Sequence, residues 1–306
     1  MTAEIAAQRD AFRRAMLDAG LLLDTGMRGV SGRGRALEAV VRGLERLLDG
    51  PCSEGGAERV YFPPLTPAAV LQRTGFVENF PNLCGWVHSF EGDEAAHRSL
   101  LARAGAGEDW SDALRQTEIA LTPAACYPLY PTLRGVTIPQ GGRLFDFTAC
   151  CFRREPSDDP ARMQAFQVRE NVQLGSADTV QAWRADWKER GRAIAESLGL
   201  PARIAVAHDP FFGRGGRMLA ANQIEDELKF ELLIPIWSEE SPTAVASFNY
   251  HRDHFSKAFG IRLQDGADAH SACLGFGLDR IALALFRFHG LDPQRWPGAV
   301  RERLLG

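Results

Sequence analysis

One carboxylate interrupts the apolar face of a strand in this chain. In QAFQVRENVQLG, residues 164–175, period-two alternation puts Phe166, Val168, Glu170, Val172 and Leu174 on one face. A carboxylate in such a face must be ion-paired, protonated or bound to a cation, unless the position is a partly exposed edge. Arginines offer a second chemistry. Arg153 and Arg154 stand in FRRE, residues 152–155, and Arg280 closes GFGLDR, residues 275–280. A planar guanidinium can donate two hydrogen bonds to phosphate oxygens. No GxxxxGK[ST] loop occurs, and GFGLDR has Arg280 where a dinucleotide fingerprint needs its last glycine. A nucleotide would therefore have to be held by arginines on a sheet. The six cysteines, Cys52, Cys84, Cys126, Cys150, Cys151 and Cys273, contain no CxxC pair and no secreted-type spacing.

These residues need a framework. The first 20 residues carry Ile5, Phe12, Met16 and Leu17 at amphipathic helical spacing, a Gly-rich break runs from Gly26 to Gly34, and a second helix is expected over about 35–49. Val60 to Pro64 reads as a short strand stopped by prolines, and 66–116 as mostly helix and loop. Long strands follow over Arg143–Glu155 and Gln164–Gly175, joined by the turn formers PSDDPA. A helix is expected over about 177–198, strands near 202–207, 229–235 and 243–250, then strand-like HSACLGF and a glycine-led helix, GLDRIALALF. Strands in runs, without regular βαβ alternation, argue for an α+β fold around an antiparallel sheet flanked by helices.

Composition narrows the class. The 306 residues are 45% hydrophobic, enough for one sizeable core, and the net charge of -4 comes with arginines scattered among acids. A large polyanion is not the obvious partner. Charges interrupt the N-terminal segment before any apolar stretch, and no apolar run approaches the roughly 20 residues of a membrane span. A reduced, cytoplasmic protein is expected. With no repeat or clear linker, residues 1–306 read as one domain.

The motifs carry a resemblance. CFRREPSDDPARMQAFQVREN, residues 151–171, resembles motif 2 of class II aminoacyl-tRNA synthetases, with Phe152-Arg153-Arg154-Glu155 and a later Arg162-x-x-x-Phe166. CLGFGLDRIALALF, residues 273–286, resembles motif 3, and the region from about Arg35 to Pro64 is similar to motif 1, which forms the dimer interface. The match spans nearly the whole chain. It implies that Arg153 clamps the α-phosphate of ATP and stabilises the charge developing there. It also implies that Glu155 accepts from the adenine amino group, that Phe166 stacks on the ring, and that Arg280 covers its other face and reaches the γ-phosphate. Singly, the residues allow plainer roles: Arg153 and Glu155 as a cross-strand ion pair, Phe166 as core, Arg280 paired with Asp279.

TGFVENFPNL, TEIALTPAAC, FDFTACCFRREP and FELLIPI…SFNYHRDHF look like seryl-tRNA synthetase. Where that enzyme has Thr-Ala-Glu, this chain ends in Cys126. With Glu170 and Cys273 it matches the Cys/Glu/Cys zinc set of the archaeal-type seryl enzymes, which leaves zinc one position for the amino acid's α-amino group. Only about 50 residues precede the motif 1 strand, too few for the tRNA-holding arm of the seryl enzymes, so no separate tRNA-binding domain is expected. Both departures identify the chain as resembling the amino acid–carrier protein ligases, which load glycine or alanine onto the phosphopantetheine thiol of a carrier protein. The resemblance also implies Mg²⁺ near Glu231, although the seryl family's glutamate six residues before Asn249 is Thr243 here, and a role for Asn249 in the amino-acid pocket. Carrier proteins are typically acidic, so docking is expected on Phe211–Glu227, with Arg214 and Arg217 ahead of a helix. The helix with Arg184, Lys188, Arg190 and Arg192 is the rival. The alternatives are a seryl-tRNA ligase-like enzyme charging tRNA or another acceptor, and a non-catalytic class II paralogue.

Overall fold

A computed structural model describes residues 3–306. Helix α1 (Ala3–Asp18) packs Phe12 and buried Met16 into the core. The Gly-rich stretch expected as a break is a hairpin, Leu22–Met27 with Val30–Arg33, because Gly26 and Gly29 supply the positive φ a tight turn needs. Helix α2 (Arg35–Ser53) buries Leu37, Val40, Val41, Leu44 and Leu48 along one face, each worth roughly 1.5–3 kcal/mol of transfer free energy. The final helix, Gly298–Leu305, which the sequence reading missed, lies against α2 so closely that a Cβ at Gly43 would collide with the Leu304 carbonyl.

The main sheet has seven strands: β1 (Glu58–Arg59), β2 (Arg143–Phe152), β3 (Ala165–Gly175), β4 (Arg203–Val206), β5 (Lys229–Ile234), β6 (Thr243–Arg252) and β7 (His270–Gly277). Their spatial order is β4-β5-β6-β7-β3-β2-β1, and every pairing is antiparallel except β1 with β2. The strand expected over Val60–Pro64 lies upstream, at Glu58–Arg59; Val60 donates one more bond to the Asp146 carbonyl before the prolines end pairing. Helix α3 (Ala177–Ser197) crosses the back of the sheet, with α4 (Gly213–Glu225) and α5 (Leu278–His289) following β4 and β7.

Segment 66–116 differs from the expectation of helix and loop. Leu65–Pro67, Trp86–Phe90 and Leu114–Leu121 form a second, three-stranded antiparallel sheet. Its strands are short and far apart in sequence, with helices between them, so no local alternation marks them.

The back of the main sheet is an extended apolar core: Phe248, Leu274 and Phe276 against Trp187 of α3, Leu44 of α2 and Leu285 of α5. Under α2 the contact turns polar. Fully buried Arg169 of β3 pairs bidentately with Asp146 of β2, 2.7 Å at each nitrogen, and reaches Asp49 of α2. Asn171 donates to the Cys52 carbonyl. Strand β3 is therefore covered on both faces, its opposite face being the floor of a cleft. All six cysteines are free thiols, and among the described residues no helix is long and apolar enough to cross a membrane.

Candidate active site

The front of the sheet lines a cleft of about 500 Å³. Eight of the residues singled out above reach it: Arg153, Phe166, Glu231, Arg280, Cys126, Glu170, Cys273 and Asn249. Glu155, Arg214 and Arg217 do not line it.

At one end two guanidinium groups flank an aromatic ring, Arg153 at 5.8 Å and Arg280 at 6.0 Å from the Phe166 centroid. Each is aimed by backbone. Arg153 donates Nε to the Pro123 carbonyl at 3.1 Å, and Arg280 donates to Ala161 and Ala244 carbonyls at 2.8 and 3.1 Å. Neither makes an ion pair among the described residues. Burial, then the neighbouring Arg162 and Arg153 cations, pulls the Arg280 guanidinium down to about 10. A site that crowds cations this way attracts a polyanion. The plainer pairings do not form: Glu155 pairs with Arg162 at 3.1 Å, and Asp279 with Arg33 at 3.1 Å.

Four residues along β3, Glu170 is only 5% exposed. Strand register puts Cys273 opposite Val172 and Gly275 opposite Glu170, so both of these β7 positions border the carboxylate. A Cβ on Gly275 would stand 2.6 Å from Glu170 Oε2, so only glycine leaves the carboxylate its place. Cys126, from the turn after Leu114–Leu121, is buried on the same side of the sheet and lines the cleft with Glu170 and Cys273. Asn249 of β6 donates Nδ2 to Cys273 Sγ at 3.3 Å. Burial first, and the Cys273 thiol second, hold the Glu170 carboxyl well above the ordinary carboxylate range.

Two buried thiols and a buried carboxylate without an ion pair among the described residues are an expensive arrangement for ordinary core, and they fit a divalent ion that takes sulfur and oxygen together. That donor set suits zinc. The ligand atoms that lie within 4.8 Å of one another are the Cys126 and Cys273 sulfurs and a His251 ring nitrogen; no Glu170 oxygen belongs to that group, so among the described residues the structure brings together two of the three expected ligands and adds His251.

Sequence reasoning missed several lining residues. Lys229 of β5 bridges Asp209 at 2.6 Å and Glu231 at 3.1 Å; burial pushes the Asp209 carboxyl up, but the charge and hydrogen bond of Lys229, with Gln223 and Arg153, together hold it low. Alternation in KFELLI already places Lys229 and Glu231 on one face. Asp209 and His251 had no such signal.

Helix α4 borders the mouth of the cleft. Gln223 is tied to Asp209 by two hydrogen bonds, and Phe211 stacks on Phe80 at 5.1 Å. Arg214 and Arg217 lie inside this helix, not ahead of it, and are exposed without ion pairs among the described residues, beside exposed Phe212 and Met218. The rival α3 cations are engaged: Arg184 is buried, Lys188 lies over Phe230, and Arg190 and Arg192 pair with acids.

No family model matches the chain. Two proteins of Bradyrhizobium diazoefficiens, amino acid–[acyl-carrier-protein] ligase 1 and ligase 2, are similar to it. They are 46% and 47% identical over 91% and 93% of this chain, and 86% and 85% of their own lengths. Among solved structures, M. kandleri SerRS in complex with A. aeolicus tRNASec superposes with a TM-score of 0.82 at 23% identity, over 95% of this chain and 59% of that one. Seryl-tRNA synthetase from Pyrococcus horikoshii complexed with ATP gives 0.70 at 13% identity, over 96% of this chain and 62% of that one. The chain thus spans about three fifths of these synthetases, and at such identities the likeness shows a shared class II synthetase fold.

Proposed function

The chain belongs to the amino acid–[acyl-carrier-protein] ligases, and from that premise we propose that it activates glycine or alanine with ATP and transfers the aminoacyl group to the phosphopantetheine thiol of a carrier protein. One observation carries the reading. Phe166, with two guanidinium groups within 6.0 Å of its ring, and Glu170, buried beside the strand that carries Cys273, share a face of one strand. At ~3.3 Å per residue they stand roughly 13 Å apart. That is room for a nucleotide base at one end, an amino acid at the other, and the α-phosphate between them.

In the first step an oxygen of the amino-acid carboxylate attacks the α-phosphorus. The bond to the bridging oxygen breaks, and pyrophosphate leaves with that electron pair. Arg153 stabilises the charge building on the α-phosphate, Phe166 and Arg280 hold the adenine, and Arg280 also reaches the γ-phosphate. Glu155, released from Arg162, accepts from the adenine amino group. Glu231 would help hold the Mg²⁺ that accompanies ATP, and Asn249 would line the amino-acid pocket. Cys126, Glu170 and Cys273 would hold zinc, which would supply an open position for the substrate's neutral α-amino group. In the second step the pantetheine thiolate attacks the acyl carbonyl and AMP departs, leaving a thioester. No protein nucleophile is needed.

Carrier docking falls to α4, through Arg214 and Arg217. The unpaired cations beside apolar Phe212 and Met218 suit an acidic partner with an apolar contact, and α4 lies next to the cleft the pantetheine arm must enter. A homodimer through residues 35–64 suits the 78% exposure of Tyr61. Residues 1–306 would act as one catalytic domain.

The test is amino-acid-dependent ATP–pyrophosphate exchange with zinc-loaded protein across the common amino acids. Exchange confined to glycine or alanine is expected. A serine preference would favour a seryl-tRNA ligase-like enzyme, and no exchange at all a non-catalytic paralogue.

A further inference from the structure

We propose that Gln223 is a positioning residue for amino-acid activation: from the inner face of α4 it fixes Asp209, and through Asp209 it aims the Lys229 ammonium at the amino acid's carboxylate. The inference rests on the adenylation reading above and adds to it a residue that acts from behind the reacting groups.

Lys229 is where such an aim matters. It stands opposite Asn249 of β6, and Asn249 stands opposite Cys273 of β7, so the three share one row across the sheet. Glu231 shares the next row with Ser247, Gly275 and Glu170. With strands ~4.8 Å apart, the Lys229 Cα lies roughly 10 Å from that of Cys273, at the amino-acid end of the cleft. The side chain is buried and its ammonium meets two carboxylates, Asp209 Oδ1 at 2.6 Å and Glu231 Oε1 at 3.1 Å. An ammonium carries three donors, and the third has no partner among the described residues. Lys229 lines the cleft, so that donor is open to a substrate oxygen. Its charge is already matched by two acids, so Lys229 gives a carboxylate direction more than attraction.

A flexible four-carbon stem does not hold an ammonium in one place by itself. Asp209 does so here, and Asp209 is in turn held by Gln223. The Asp209 N–H donates to Gln223 Oε1 at 2.6 Å, and Gln223 Nε2 donates to Asp209 Oδ2 at 2.9 Å. Asp209 Oδ1 is left to accept from Lys229. Gln223 thus engages both ends of its amide on one residue of the loop 207–212, and makes that loop carboxylate part of a helix.

The helix is itself anchored at this end. Leu228 N–H donates to the Gln223 carbonyl at 2.9 Å, and buried Arg184 of α3 donates to the Glu227 carbonyl at 2.8 Å. A group held on a rigid element keeps its aim better than one on a loop. At ~100° per residue, Gln223 falls about 180° around α4 from Arg214. One side of α4 therefore carries an exposed cation, and the opposite side orders the cleft.

The experiment is glycine-dependent pyrophosphate exchange on the full zinc-loaded protein, with rates taken per active site. Gln223→Met removes both hydrogen bonds, Gln223→Glu sets carboxylate against carboxylate, and Asp209→Asn sets amide against amide. Each should lower kcat about tenfold and leave KM for glycine and ATP within about twofold, as expected for lost orientation rather than lost binding. The double variant Asp209→Asn with Gln223→Glu restores net charge and every hydrogen bond, one of them reversed in direction, and should recover kcat to within about threefold of wild type. Gln223→Met should cost nothing further once Asp209→Asn is present, and Lys229→Met should fall at least as far as either. A merely structural role for Gln223 would not predict rescue by the swapped pair. The inference would be overturned by a double variant no better than its parents, by Gln223→Met costing as much without Asp209 as with it, or by full kcat in Lys229→Met. A wild-type protein inactive with every amino acid would instead overturn the reaction reading, and this inference with it.

Discussion

Gly275→Ala tests the heart of the site with one methyl group. The added Cβ would stand 2.6 Å from Glu170 Oε2 and 3.0 Å from Val168 Cγ1. Ordinary contact begins at 3.4 Å, so the carboxylate must retreat by roughly 0.8 Å, inside a close-packed strand pair that offers little room. Two consequences separate. Overpacking of this kind costs about 1–3 kcal/mol, a fall in melting temperature of about 2–4 °C per kcal/mol at this chain length. A shift approaching 1 Å in a group that positions substrate costs on the order of 100-fold in rate, so glycine-dependent pyrophosphate exchange should fall about 10- to 100-fold. Zinc content after dialysis against a weak chelator should fall with it. A second variant isolates the cause: Gly275→Ala with Glu170→Asp shortens the acid, so stability should return while exchange and zinc retention stay low. Full exchange with full zinc in the single variant would refute the idea that Glu170 must sit where glycine lets it.

The other expectations concern different parts of the molecule. Arg280→Lys loses the planar group that lies over Phe166 and bonds two carbonyls, and should lower kcat/KM for ATP about 10- to 100-fold in the exchange assay. Asp146→Asn leaves Arg169 buried with only Asp49, and should cost about 3 kcal/mol in urea unfolding; a change within experimental error would mean that the pair is not needed to hold β3 against α2. Charge reversal at Arg214 and Arg217 should raise the KM for an acidic carrier protein about tenfold and flatten the salt dependence of transfer, read from thioester formation at several ionic strengths.

What could be read from the sequence follows from the range of the interactions involved. Helices α1, α2, α3 and α5 and the long strands β2 and β3 show in local periodicity, and the face carrying Phe166, Val168, Glu170, Val172 and Leu174 is a property of one strand. The opposite face bears Arg169, Asn171 and Gln173, and all three are buried; α2 meets Arg169 with Asp49 and Asn171 with the Cys52 carbonyl. No local pattern distinguishes a polar face in water from one satisfied by a helix 120 residues away. The same limit hid the ends of the site. Lys229, Asp209 and His251 acquire their meaning from register: which residue of β6 stands across from Cys273, and where a bulge shifts the next one. Glycine at 275 looks like part of a turn motif until β7 is laid beside β3 and the missing side chain proves to be the space that holds Glu170. A chain that conserved only the motif letters but slipped β7 by one residue would turn Cys273 and Gly275 to the back of the sheet, and the metal-binding end would vanish while the arginine end survived. Pairing between strands, more than the identity of any motif, is what joins the two halves of this site.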